Sequence, residues 1–318
     1  MYGARKPPTL LGELLAGLGR LIARYPAIAL FHKLVAPRPW LAVLVLIGII
    51  ILLEGPISPL RSRRDTELHI APPSAVQGMM FSQSEPPQAN NAPPAPITGN
   101  AVPSAQFDTI IEDGLYPNDH VAMTSDLRDA YAYVSERFGN GATSRFKAAI
   151  TLEESCNLHG AAYTDERIVQ VFSCNDLPRA RAVAIMAHEF GHQLEQDRYG
   201  PAHLHSDMIL SEGAATWAAG KYWLGGQPDF RSYVRDQRTS GLFYPLATNY
   251  NGLGIGAMNA LYYQWASFVD FLITTYGREK FDQVYITGQS SPGSSDYARV
   301  YGKGLDALEQ EWQAWLDR

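Results

Sequence analysis

The chain has 318 residues, 46% of them hydrophobic and 18% charged, enough for one or two domains with a sizeable core. Its net charge of -6 is unevenly spread: residues 1–64 hold nine Lys/Arg against two acids, and residues 65–318 hold 17 basic and 30 acidic side chains. An acidic main body argues against nucleic acid as a partner, because phosphate neutralisation needs clustered Lys and Arg.

Residues 1–39 form a basic tail, with Arg5, Lys6, Arg20, Arg24, Lys33 and Arg38 against Glu13. Within it, Leu10 to Leu21 suits an interfacial amphipathic helix or a disordered tail. From Trp40 to Leu53 there are no charged or polar side chains. That run alone covers about 21 Å as a helix, short of the roughly 30 Å hydrocarbon core, and residues out to Ile57 extend it. The leader is long and no Ala-x-Ala-type site follows, which disfavours a cleaved signal peptide. An uncleaved signal anchor over residues 40–57 is therefore expected, making the protein single-pass in the cell membrane. Basic residues on the N-terminal side favour a cytoplasmic N-terminus and an extracytoplasmic body, although Arg61, Arg63 and Arg64 narrow the local margin.

Residues 58–106 read as a flexible linker. Eight prolines fall between residues 71 and 106, with Glu85 as the one charge. Such a segment cannot bury enough apolar surface to offset its ordering entropy.

Residues 107–318 have the pattern of a folded body. Leu127, Ala130, Tyr131, Val134 and Phe138 form a helical stripe that Gly139-Asn140-Gly141 ends, with Thr124 or Ser125 as the expected cap. Phe146, Ala148, Ile150 and Leu152 alternate with other residues as in a strand, and Ile168 to Ser173 is a second extended run. Thr164 to Arg167 suits a turn. If the two runs pair as a hairpin about Asp165, Cys156 and Cys174 face each other at its base. A disulfide between them fits an extracytoplasmic body, with two reduced buried thiols as the alternative. His159 reads as a turn residue.

Asn175 or Asp176 is then placed to cap a helix with Pro178 in its first turn. Val183, Met186, Ala187, Phe190 and Leu194 form its buried stripe. At the edge of that stripe lies His188-Glu189-Phe190-Gly191-His192. Two histidines four residues apart stand on one helix face and can reach one zinc ion, and Glu189 beside them can act as base toward a water the ion acidifies. Two surface histidines on an amphipathic helix would be the bland alternative. Glu195 reads as a surface charge, and His203 and His205 as a solvated His-x-His loop.

Catalytic zinc takes three protein ligands and leaves a position open. The metzincin spacing fails, since Glu195 and Arg198 stand where Gly and His are needed. The other arrangement draws a Glu from a following helix, and Ser211-Glu212-Gly213-Ala214-Ala215-Thr216-Trp217 offers Glu212, twenty residues after His192. Small residues beside it would let the second helix approach the first closely.

With these two motifs the chain resembles the gluzincin superfamily of zinc metallopeptidases, and looks most like a compact membrane-associated or secreted branch whose second motif reads Glu-Gly-x-Ala. The resemblance covers about residues 145–318, including Ala260 to Gly277 and the Trp-rich C-terminal helix. It implies an α+β zincin-like fold: a small mixed β-sheet, an active-site helix and a helical C-terminal part. It also implies one Zn2+ held by His188, His192 and Glu212, with Glu189 as general base. Thermolysin-like members carry an Asp four residues after the ligand Glu, orienting a ligand His; Thr216, a weaker acceptor, stands there in this chain, so either it plays that part or another residue does. A Tyr at the place of Tyr263, with Tyr262 as alternate, would stabilise the oxyanion in similar proteins. One of the two at most can face the metal, because helix neighbours point about 100° apart.

Thr248 to Gly256 resembles no phosphate-binding motif and reads as a mobile loop rimming the cleft. Leu305, Leu308, Trp312, Trp315 and Leu316 read as core packing of the last helix. The function expected is a membrane-anchored zinc peptidase acting on a peptide or protein, more an endopeptidase than an aminopeptidase. The alternatives are a non-catalytic cell-surface binding module on a zincin scaffold, or a zinc hydrolase of non-peptide substrates.

Overall fold

A computed structural model of the chain describes residues 94, 97 and 99–318. The basic tail, the expected anchor at 40–57 and most of the linker lie outside the described residues. Among the described residues no helix is long and apolar enough to cross a membrane.

Five strands form one mixed sheet: β1 (Ala101–Pro103), β2 (Phe107–Ile111), β3 (Phe146–Leu152), β4 (His159–Tyr163) and β5 (Ile168–Ser173), in spatial order β1-β2-β3-β5-β4. β1 lies within the stretch read as linker, and pairs antiparallel with β2. Strands β2, β3 and β5 run parallel, and β4 closes the far edge antiparallel to β5. The crossover from β2 to β3 is α1 (His120–Phe138), which starts at Asp119, earlier than the expected cap, and ends as expected at Gly139 in the left-handed region. α2 (Arg179–Tyr199) packs beside it on the sheet, with Pro178 rather than Asn175 or Asp176 at its start. The rings of Phe107, Tyr131, Phe146 and Phe190 meet where β2, β3 and the two helices join, at centroid distances of 5.3 to 5.8 Å. Each such pair adds about 0.5–1.5 kcal/mol to simple burial, so the cluster seats α2 firmly on the sheet.

The hairpin differs from the sequence expectation. The runs at 146–152 and 168–173 are parallel neighbours, and the strand that turns back on β5 is β4, with His159 opposite Phe172. His159 is thus the first residue of a strand, its ring stacked on Phe172 at 4.4 Å. Gly160, Ala161 and Ala162 give β4 no alternation of apolar and polar residues, which hides it in the sequence. The disulfide nevertheless joins Cys156 and Cys174, with Cα atoms 5.1 Å apart, tying the entry of β4 to the exit of β5.

After α2 a 3-10 turn, Gly200–His205, leads into α3 (Met208–Ala219), α4 (Lys221–Leu224), α5 (Phe230–Thr239), α6 (Ile255–Tyr276), α7 (Arg278–Tyr285), α8 (Tyr297–Tyr301) and α9 (Leu305–Leu316). Asp207 caps α3: it accepts from Ile209 N, and also from Gly293 N, Ser295 N and the Tyr297 hydroxyl. That buried carboxylate fixes where α3 begins, and hence where Glu212 points, one turn on. α3 is wedged between α2 and α6. A Cβ on Gly191 of α2 would fall 2.7 Å from Ala215 Cα, and one on Gly213 would fall 2.8 Å from the Trp265 carbonyl of α6. The small residues flanking Glu212 therefore serve both neighbours. Trp312, Leu308 and Leu316 of α9 are buried as expected, and the Trp312 indole donates to Ser267 Oγ.

Candidate metal centre

His188 and His192 leave α2 toward α3, one helical turn apart, with their Nε2 atoms 3.1 Å from each other. Glu212 Oε2 lies 3.2 Å from the first and 3.6 Å from the second. A tetrahedral ion bound at about 2.0–2.1 Å would space its donors about 3.4 Å apart. The triangle has the size of one face of that tetrahedron. Glu212 Oε2 is buried and has no hydrogen-bond partner, so a cation is the missing neighbour that its position calls for.

The far nitrogens of both rings are held. His188 Nδ1 lies 3.2 Å from Thr216 Oγ1, a fully buried hydroxyl one turn after Glu212. His192 Nδ1 lies 2.8 Å from Glu195 Oε2. With the Glu195 carboxylate accepting, His192 donates from Nδ1 and its Nε2 faces His188 and Glu212. Donor set, spacing and ring orientation all fit a single zinc ion.

Electrostatics within the cluster follow from its burial. Burial lowers His188 and keeps its ring neutral. For Glu212, burial acts upward, but the two imidazoles outweigh it and hold the carboxyl well below the usual range. His192 moves the other way: burial acts downward, and the Glu195 and Glu212 carboxylates overcome it. Glu189 is pushed up to about 8, chiefly by burial; His192 partly opposes this, and Glu212 and Glu195 add to it.

Glu189 is seated by the edge strand. A Cβ on Gly160 of β4 would fall 2.2 Å from Glu189 Oε1 and 2.7 Å from its Cδ, so the bare glycine leaves the slot in which the carboxylate rests. On the α6 side, Tyr262 stacks along His188 at 5.6 Å with the rings 14° apart, and Trp223 lies 4.9 Å from the same imidazole. Burial, with Glu212 and Tyr250 nearby, raises the Tyr262 phenol well above its ordinary value, so it remains a donor. Tyr263, the first choice from sequence, points elsewhere. Its hydroxyl donates to the Trp223 carbonyl, and its ring packs on Tyr233 at 4.3 Å. Of the two neighbours on α6, Tyr262, the alternate, is the one that lies against His188.

Two residues near the centre, Glu195 and His203, were read differently from sequence. Glu195 is fully buried rather than a surface charge. His203 is buried in the 3-10 turn and bonds the Tyr285 hydroxyl at 2.9 Å, whereas His205 is exposed as expected. Tyr250, in the glycine-rich segment before α6, brings its ring to 5.8 Å from Tyr262 and so places that loop beside the centre.

No family model matches the chain, and no curated protein does. Among solved structures it is similar to an M1 zinc metallopeptidase from Deinococcus radiodurans, at 18% identity and a TM-score of 0.41, over 70% of this chain and 52% of that one. A point variant of that protein gives 18% identity and a TM-score of 0.42, over 68% and 52% of the two chains. A two-domain M1 zinc metallopeptidase variant bound to L-arginine gives 19% and 0.40, over 70% and 52%. The chain thus spans about half the length of the structures it matches.

Proposed function

We propose that the chain is a zinc-dependent peptidase that cuts within polypeptides. The observation that carries this is the triangle of His188 Nε2, His192 Nε2 and Glu212 Oε2 with an uncommitted carboxylate, Glu189, beside it. A site that served structure alone would have no use for that fourth group. Zinc, when bound, supplies a Lewis acid that polarises the scissile carbonyl and acidifies a water.

The chain's own residues perform the rest. Glu189 accepts a proton at its carboxylate from the attacking water and returns it to the departing nitrogen. The space left by Gly160 lets that carboxylate lie close against β4. The Tyr262 hydroxyl donates a hydrogen bond to the oxygen that gains negative charge. β4 is an edge strand on one side, so an extended peptide can add to it through main-chain hydrogen bonds. That strand, His159–Tyr163, offers no carboxylate to bind a free terminal amine, which favours cleavage inside a chain over removal of single N-terminal residues.

The anchor at residues 40–57 would tether the body outside the cytoplasm, where the Cys156–Cys174 disulfide is stable. The test is to incubate the full-length protein with a mixed peptide library, with and without chelator, alongside Glu189→Gln. Internal cleavage that is chelator-sensitive and absent in the variant is expected. Equal cleavage by the variant would overturn the role of Glu189, and no cleavage of any peptide would overturn the peptidase.

A further inference from the structure

Two ligand imidazoles are supported unequally, and the stronger support comes from a residue outside the ligand set. His188 leans on a neutral hydroxyl, Thr216, at 3.2 Å, whereas His192 leans on a carboxylate, Glu195, at 2.8 Å. Glu195 is fully buried, three residues after His192 on the same helix face.

The carboxylate is also surrounded by side chains from neighbouring elements. Ser211 Oγ lies 3.5 Å from Glu195 Oε2, one residue before the ligand Glu212. His203 Nδ1 lies 3.5 Å from the same oxygen and 2.9 Å from the hydroxyl of Tyr285, itself fully buried on α7. Tyr199 of α2 stacks on Tyr285 at 3.9 Å and closes the cluster from below. Helices α2, α3 and α7 and the 3-10 turn therefore converge on one carboxylate whose short contact is to a ligand ring.

We infer that Glu195 is a positioning residue for the metal: acting through His192, it fixes the ring's tautomer and raises its basicity, and the His203–Tyr285 pair keeps Glu195 in register. This rests on the zinc centre proposed above. Because a charged acceptor strengthens a ligand imidazole more than a neutral hydroxyl does, metal affinity should depend more on Glu195 than on Thr216. His203 and Tyr285 thereby acquire a purpose, and the His192–Glu195–His203 cluster is support for the ion rather than a second site.

The test is the zinc dissociation constant of the full-length protein by competition with a chromogenic chelator, for wild type, Glu195→Gln, Glu195→Ala and Thr216→Val. Thermal unfolding of each metal-free form and the visible spectrum of each cobalt-loaded form accompany it. Glu195→Gln keeps the shape and an accepting oxygen but loses the charge. It should weaken zinc about 10-fold, and Glu195→Ala about 100-fold, the range seen when such supporting groups are removed. Thr216→Val should weaken it less than either. The metal-free unfolding midpoint of Glu195→Gln should stay within a few degrees of wild type, and its cobalt spectrum should shift. Affinities within about 2-fold of wild type in both Glu195 variants, or a loss no larger than that of Thr216→Val, would overturn the inference. So would a weakening that merely follows a drop in metal-free stability. Wild-type protein that binds no zinc would instead remove the centre itself.

Discussion

Placing a methyl group at Gly160 is a clean way to move the proposed base, Glu189, without touching the proposed ligands. In Gly160→Ala the new Cβ would sit 2.2 Å from Glu189 Oε1, 2.7 Å from its Cδ and 2.7 Å from Ile185 Cγ2. Ordinary contact begins at 3.4 Å, so the carboxylate must withdraw by at least 3.4 - 2.2 = 1.2 Å. It can, because it is the free end of a side chain; Ile185 must yield as well, at an overpacking cost of about 1–3 kcal/mol. A misplacement of about 1 Å at a reacting group lowers rate by roughly 100-fold. The expected outcome is a kcat about 100-fold lower on a peptide substrate, with one zinc per chain retained and a modest fall in Tm. The assay is steady-state hydrolysis alongside metal analysis of the same sample. Undiminished kcat would refute the seating of Glu189 by β4. Zinc loss in step with activity would show that the substitution damages the ligand helix instead.

Tyr262→Phe should lower kcat about 100-fold, the scale for one oxyanion donor, whereas Tyr263→Phe should leave kcat within a few-fold and cost about 1 kcal/mol for its buried bond to the Trp223 carbonyl. Steady-state kinetics and urea unfolding of the two variants decide it, and the reverse ranking would reinstate Tyr263. Burial, aided by His192 and partly opposed by Glu212, holds His203 down to about 3. The unfolded chain takes that proton from about pH 6.5 downward while the folded one refuses it until about pH 3, so stability is full above about 6.5 and falls by up to about 1.4 kcal/mol per pH unit below. Urea unfolding of metal-free protein at pH 7 and 5.5 should show a shallower acid loss in His203→Gln than in wild type; identical slopes would contradict the burial argument. Cys156 and Cys174 enclose a separation of 18 residues, so Cys174→Ser should cost about 3 kcal/mol in urea unfolding, and a loss below about 1 kcal/mol would show that β4 holds without its clasp.

The proposed metal centre was legible because its residues are local in sequence. The four-residue repeat of His188 and His192 sets a shared helix face, and Glu212 follows a spacing that the next helix can satisfy. Glu195 carried a signal that polarity obscured: it is the third residue after His192 and the seventh after His188, on the face that bears the ligands. A charged side chain there was read as solvated, and only the tertiary packing of α7 and the 3-10 turn makes it buried. Tyr262 and Tyr263 could not be separated by sequence, since the rotation of α6 is set by partners such as Trp223 and Tyr233. β4 was missed for a different reason. Gly160, Ala161 and Ala162 have little strand propensity, and their value lies in what they leave empty. Strand direction was the other failure, because two extended runs with a turn between them fit a hairpin as well as parallel neighbours with an intervening strand.

The most direct measurement is the metal content and ligand set of the full-length protein, read by elemental analysis and zinc-edge X-ray absorption on wild type, His188→Ala, Glu212→Ala and Glu189→Gln. The expected result is one zinc per wild-type chain, with two imidazoles and a carboxylate oxygen at about 2.0–2.1 Å, lost or greatly weakened in His188→Ala and Glu212→Ala and retained in Glu189→Gln. A chain that takes up no zinc, or one that holds it equally well without His188 and Glu212, would contradict the three-ligand centre.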